Sequence, residues 1–334
     1  MNSTFSPFCF GKLPTFGDFV RFNAAGKEIQ QLDQWFQEGL YFAKNRLSPN
    51  WDLAYKKASD YRFLFPSYDN GRCIFGMFFP SVDKIGRQYP FFLALSAEIA
   101  FFRENSLTYA PFIFQPFIQK AAIMGHRAVQ GQMSELIPAE VEALTFNLNQ
   151  TLTTLQPEYE TFKNKTTIAE YISQIWQNIE NPYTHVVFEN LIELFISLRN
   201  HDVARLNYGL RIPLGRHSLS NSHWVSFWLE LISQMLPQYT NIPYLFYTNS
   251  EFSRSNYLFV YFSLPSPNNL ASLIQVELEL DTVYKLDAQF TSGENVPEKK
   301  LLSQLKELFQ NSELPLIEFQ SEIFKIFSNN SGQP

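Results

Sequence analysis

The sequence predicts an α/β fold with helices covering both faces of a sheet. Strand-like and helix-like segments alternate along the chain. The runs Cys73–Phe79 and Phe91–Leu95 are almost continuously apolar, as strands covered on both faces must be. Finally, Leu206, Tyr208, Leu210 and Ile212 alternate with polar or small neighbours. A helix with Trp224 and Trp228 and the strand-like Tyr244–Tyr247 follow them, the order of a βαβ unit.

The opening stretch, Gly11-Lys12-Leu13-Pro14-Thr15-Phe16-Gly17-Asp18-Phe19-Val20-Arg21, suits neither a plain strand nor an amphipathic helix. Pro14 fixes its own φ and pushes Leu13 toward an extended backbone. Gly11 and Gly17 are expected to supply angles that a side chain would forbid. The expectation is a short strand through Cys9 and Phe10, then an ordered loop whose aromatics enter the core. Asp18 and Arg21 would be held near the loop and Lys12 would lie at the surface.

Lys27–Arg46 has helical spacing through Ile29, Leu32, Trp35, Phe36, Leu40 and Ala43, and stops before Ser48-Pro49. Tyr61–Pro66 reads as an aromatic strand ended by its proline, and Asp69-Asn70-Gly71 as a turn into Cys73–Phe79. The polar connection Pro80–Pro90 between two apolar runs reads as a long hairpin. It carries Ser81, and Asp83 and Arg87 near its tip, with Gly86 at a positive φ.

Phe112–Val129 turns helical, and Gly131–Asn164 is polar and only mildly periodic. Thr166 is placed as the cap of a helix through Trp176, followed after Pro182 by a second helix that completes an αα-hairpin. Tyr257–Phe262 reads as a strand, Leu273–Leu280 as strand or short helix, and Leu301–Phe309 and Leu316–Phe327 as terminal helices. Residues 6–328 are taken as one unit, with a signature half over 8–125, a helical excursion over about 131–203 and an α/β half over 204–328. Residues 329–334 are expected to be a disordered tail.

With 45% hydrophobic and 17% charged residues, the 334-residue chain has material for a large core, which excludes global disorder. Its 34 phenylalanines and 16 tyrosines make that core aromatic and leave a surplus for an interface. A net charge of −6 without any Lys/Arg cluster argues against nucleic acid. Cys9 and Cys73 make no disulfide framework and read as small buried hydrophobes. No signal peptide or membrane-spanning run is visible, so a cytoplasmic protein without membrane insertion is expected.

The sequence contains no GxxxxGK[ST], GxGxxG, GxSxG or HExxH. His217 and His223 have no metal-ligand spacing, and no cofactor or metal is expected. Asp18 and Asp83 could form a carboxylate pair for a metal-dependent hydrolase or phosphotransfer enzyme. Each has an arginine nearby, Arg21 and Arg87, which favours ion pairs instead. Those arginines could equally hold a phosphate or a partner's carboxylate. Lys12, Asp18, Arg21, Asp83 and Arg87 are therefore the candidate binding residues, supported by Gly11, Pro14, Gly17, Trp35, Ser81 and Gly86.

Gly11-Lys12-Leu13-Pro14…Gly17-Asp18-Phe19-Val20-Arg21, the helix with Trp35, and Pro80-Ser81-Val82-Asp83-Lys84-Ile85-Gly86-Arg87…Tyr89-Pro90 together resemble the TagF family, also called ImpM. Order and spacing agree over residues 8–95, with Lys84 where arginine is common. The resemblance implies a three-layer α/β sandwich, a mixed sheet with helices on both faces. It also implies a non-enzymatic accessory protein of type VI secretion that represses assembly after translation by binding a partner, in some bacteria a forkhead-associated scaffold protein. The PP2C-type phosphatase sometimes fused to such proteins is not visible here. A structural subunit of the secretion apparatus is a further alternative.

Overall fold

A computed structural model describes residues 5–104, 107–133, 137–144, 148–176, 185–198, 206, 208–216, 221–250, 255–288, 296–311 and 313–330. Among them nine strands form one mixed sheet. The strands are β1 (Ser6–Gly11), β2 (Val20–Phe22), β3 (Tyr61–Ser67), β4 (Arg72–Phe79), β5 (Phe91–Glu98), β6 (Gly209–Gly215), β7 (Tyr244–Tyr247), β8 (Asn256–Tyr261) and β9 (Val283–Lys285). Their order is β2-β1-β5-β4-β3-β7-β8-β6-β9. Neighbouring strands run antiparallel except β6 with β9.

Side-chain alternation divides the core into two layers. Phe8, Phe10, Phe63, Phe78, Phe92 and Phe246 face α1 (Lys27–Leu47), which contributes Ile29, Leu32, Trp35 and Phe36. Cys9, Cys73, Phe75, Met77, Leu93 and Leu95 face the opposite way, into the larger core. The continuous apolar character of β4 and β5 follows directly, because each of their faces meets a helical layer. As expected, they are adjacent and antiparallel, with Phe79 opposite Phe91.

Beside α1 lies α2 (Trp51–Lys57), a helix that the sequence pattern did not announce. The region read as Phe112–Val129 is preceded by α3 (Ile99–Glu104) and is itself split into α4 (Ala110–Ile113) and α5 (Gln115–Val129). The break falls at Phe114, where Pro116 can open a helix but not continue one. The excursion contains α6 (Ile137–Glu142), α7 (Leu148–Lys165), α8 (Ile168–Trp176) and α9 (Val186–Leu198). Thr166 does not begin α8 directly; Thr167 forms an isolated bridge with Pro315 and the helix follows. Pro182 lies outside the described residues.

The remaining helices are α10 (Asn221–Met235), α11 (Leu270–Ile274), α12 (Val296–Gln310) and α13 (Leu316–Asn330). Trp224 and Trp228 of α10 are fully buried, as core residues would be. β6 and β7 both pair antiparallel with β8, so they run parallel but are not neighbours: the expected βαβ unit has a third strand inserted. Tyr257–Phe262 matches β8 with a one-residue shift. Leu273–Leu280 is neither one strand nor one helix, since α11 ends at Ile274 and turns follow.

Three further expectations are corrected. Pro66 does not end β3; it pairs with Cys73 and the strand continues to Ser67. The β7 partner has already stopped at Leu64, so a residue without an N–H is tolerated there. The opening loop closes as strand β2, with Gly11 opposite Val20. Asn329 and Asn330, assigned to a tail, belong to α13, and residues 331–334 lie outside the described residues.

Candidate functional site

β1 and β4 both run antiparallel to β5, so they end on the same side of the sheet. Gly11 and Phe79 flank Phe91 in one register row. The loop leaving β1 and the loop joining β4 to β5 must therefore emerge together. Gly11 sets the exit angle with a φ of +130°, and a Cβ there would lie 2.1 Å from the Pro90 carbonyl oxygen. Glycine is required at that position by both conformation and space.

In the first loop Phe16 N donates to Leu13 O at 3.0 Å, closing a turn with Pro14 at its second position. Leu13 is fully buried, and Thr15 Oγ1 donates to Met133 O at 2.9 Å. In the second loop Asp83 N donates to Arg87 O at 3.1 Å and Gly86 N to Asp83 O at 2.9 Å. Gly86 takes the expected positive φ, +88°. Buried Ser81 meets Tyr55 of α2 through its backbone, and the Tyr55 hydroxyl donates to Ser81 O at 3.2 Å. Gln88 donates to Asp52 at 3.1 Å, so α2 braces this loop.

Asp83 joins the two loops. Its Oδ1 accepts from the backbone N–H groups of Ile85 (3.1 Å) and Arg87 (2.8 Å). Its Oδ2 accepts from Arg87 Nε at 2.6 Å and pairs with Lys12 Nζ at 3.0 Å. Arg87 Nη2 reaches across to Gly17 O at 2.7 Å, and Lys84 N donates to Phe16 O at 2.8 Å. Burial alone would raise the Asp83 pKa. The Arg87 N–H, the Lys12 ammonium and the Arg87 guanidinium outweigh it and hold the carboxyl well below the usual carboxylate range.

Lys12 is thus not at the surface. It is buried, with 7% of the residue exposed, and its ammonium lies 5.3 Å from the centre of the Phe19 ring. Asp83 pairs with Arg87 as the spacing suggested, but Asp18 does not pair with Arg21. Exposed Asp18 accepts the N–H of Phe19 on its Oδ1 at 2.8 Å. Arg21 lies over the rings of Phe10 and Phe19 at 4.8 and 5.7 Å and approaches Asp33 of α1 at 3.6 Å. The Asp33 carboxylate also accepts from Tyr89 OH at 2.6 Å. Phe10, Phe19 and Tyr89 form the aromatic floor of the site, with Phe19 and Tyr89 edge to face at 4.9 Å.

Gly17 also departs from expectation. Its φ lies outside the left-handed region, and a Cβ there would meet no atom within 4 Å. Trp35 is remote from the tip: it donates Nε1–H to Pro265 O at 2.7 Å and stacks on Phe246 at 5.5 Å, fixing α1 on the sheet. Sequence reasoning missed Asp33, which looks like an ordinary polar helix residue, and read Tyr89 only as part of the second motif, not as a site residue. Both Asp83 oxygens are engaged, by the N–H groups of Ile85 and Arg87, by Arg87 Nε and by Lys12 Nζ, so Asp83 offers no open carboxylate to pair with Asp18. Burial pushes the Cys9 thiol up to about 12 and that of Cys73 well above its ordinary value, so neither is a thiolate near neutral pH.

Residues 9–139 match the model of the TagF N-terminal domain, described as type VI secretion system-associated. The resemblance read from the two loops holds over that span. No curated protein matches the chain. Among solved structures, the crystal structure of PA0076 from Pseudomonas aeruginosa PAO1 is similar at 14% identity with a TM-score of 0.45, covering 87% of this chain and 100% of that one. None of the helices among the described residues is long and apolar enough to cross a membrane.

Proposed function

We propose that this protein is a cytoplasmic, non-enzymatic regulator of type VI secretion that represses assembly of the apparatus after translation by binding one of its proteins. The observation that carries this reading is that the matched domain contains both joined loops, residues 11–21 and 80–90. Loops fixed on a rigid sheet are the usual place for recognition. The chemistry of Asp83 supports binding over catalysis, because its carboxylate is committed to Lys12, Arg87 and two backbone N–H groups. A forkhead-associated scaffold protein is the first partner to test.

The tagged full chain, expressed at native level, is expected to co-purify with secretion-apparatus proteins. Deleting its gene is expected to raise secretion, and overproducing the protein to lower it, with apparatus protein levels unchanged. Absence of secretion proteins from the captured material, or a secretion change that follows those levels, overturns the proposal.

A further inference from the structure

The joined loops contain charges that the fold uses and charges that it leaves outward. Lys12 and Asp83 are enclosed. Lys84 is exposed, and it is tied to the first loop by its backbone N–H. The Arg87 and Arg21 side chains remain 53% and 55% exposed while making the contacts above. Asp18 is the exposed acid of this tip. In a chain of net charge −6, three cationic side chains, Lys84, Arg87 and Arg21, face outward here against exposed Asp18, with Arg87 and Arg21 also paired to Asp83 and Asp33.

Beside Lys84 stands Ile85, 73% exposed, more than any other large hydrophobic residue among those described. Gly17 and Gly86 leave the backbone on each loop bare, since a Cβ on either would meet nothing within 4 Å. Gly86 needs glycine for its positive φ. Nothing among the described residues asks for glycine at Gly17. A bare backbone, an apolar knob and exposed cations together suit a segment that approaches closely, places one apolar side chain and carries negative charge.

We propose that this tip is a docking surface for an acidic segment of another protein. Its Asp or Glu carboxylates meet Lys84, Arg87 and Arg21, an apolar side chain packs on Ile85, and its main chain passes over Gly17 and Gly86. Arg21, stacked over Phe10 and Phe19, offers the planar donor pair that fits a carboxylate, while Arg87, with Nε and Nη2 engaged by Asp83 and Gly17, has Nη1 to offer. The same donors fit a phosphate, which the phosphoserine peptide below tests. The proposal rests on the reading of the protein as a partner-binding regulator and adds the chemistry of what is bound.

The test measures fluorescence anisotropy of labelled peptides with the full chain. One peptide alternates Glu with Leu, a second has Gln for every Glu, and a third has phosphoserine for every Glu. The Glu peptide is expected to bind about tenfold or more tighter than the Gln peptide and to weaken as salt is raised. Lys84→Glu and Ile85→Ser change exposed side chains and should keep the circular dichroism and melting temperature of the unmutated chain. Each should lose about tenfold in affinity for the Glu peptide. Equal or absent binding of the Glu and Gln peptides overturns the proposal, as does unmutated affinity in both variants. Tighter binding of the phosphoserine peptide overturns the commitment to carboxylates. Should the unmutated chain and both variants capture the same secretion proteins equally, the docking site is wrong and the regulatory reading stands. Peptide binding at the tip without capture of any secretion protein supports the docking site and overturns the regulatory reading.

Discussion

Asp83→Asn separates a structural clamp from a surface pair. Asparagine retains an acceptor for the N–H groups of Ile85 and Arg87 that now bond Oδ1 at 3.1 and 2.8 Å. On the other branch it turns an NH₂ group toward Arg87 Nε and Lys12 Nζ, two donors without a shared acceptor. Arg87, half-exposed, can turn to water. Lys12 cannot, because only 9% of its side chain is exposed. A buried charge stripped of its partner costs about 3–5 kcal/mol, and most of the loss should come from Lys12. The assay is urea unfolding followed by circular dichroism, with the slope compared between variants. The double variant Lys12→Met/Asp83→Asn removes the stranded charge and should recover most of that loss. A cost below about 1 kcal/mol, the range of exposed pairs, would refute the clamp. So would a double variant that is no more stable than Asp83→Asn alone.

Acid should weaken the same clamp: the Asp83 pKa is depressed in the folded state, so its contribution is present above the unfolded value near 4 and lost as pH falls below it. Asp83→Asn should accordingly flatten the melting temperature against pH below about 4. His223, held neutral by burial with its pKa lowered to about 4, contributes stability above its unfolded value near 6.5 that is lost as pH falls toward 4. His223→Gln should reduce the drop in melting temperature across that interval, and an unchanged drop would refute the assignment. Gly11→Ala should cost about 2 kcal/mol or more, from its φ and from the clash with the Pro90 carbonyl. Gly17→Ala should change stability by less than about 1 kcal/mol, in the stabilising direction, and equal losses in these two variants would contradict the division of roles.

Segments buried by their own neighbours were legible. β4 and β5 declared themselves by apolar side chains on both faces, and α1 by its single apolar stripe through Trp35 and Phe36. Three-residue strands were not, because β2 and β9 exist only through pairing with β1 and β6, and so brief a segment has no period of its own. The site was half legible. The ion pair between Asp83 and Arg87 is local and was readable from spacing. The partner of Lys12 is supplied by the other loop, and a lysine among glycines and a proline looks like any surface residue until the sheet brings Asp83 to it. Asp18 and Arg21 show the converse: correct spacing for a pair, with Arg21 drawn instead to Asp33 on a helix.

One register row explains why the two loops form one object. With Gly11, Phe91 and Phe79 side by side, the chain leaves β1 directly over the start of β5. Only a residue without a side chain clears the Pro90 carbonyl there. The loops must then cross near Lys12 and Asp83, in a place too enclosed for an unpaired charge. The pair therefore fixes how the loops meet, because any other meeting would leave one of the two charges buried alone. Once that is fixed, the side chains of Lys84 and Ile85 stay exposed and the Cα of Gly17 stays bare among the described residues, though they stand where the two loops are clamped. Such positions can change without unfolding the protein, so their substitution reads recognition directly, while substitution at Gly11, Lys12 or Asp83 reads the scaffold.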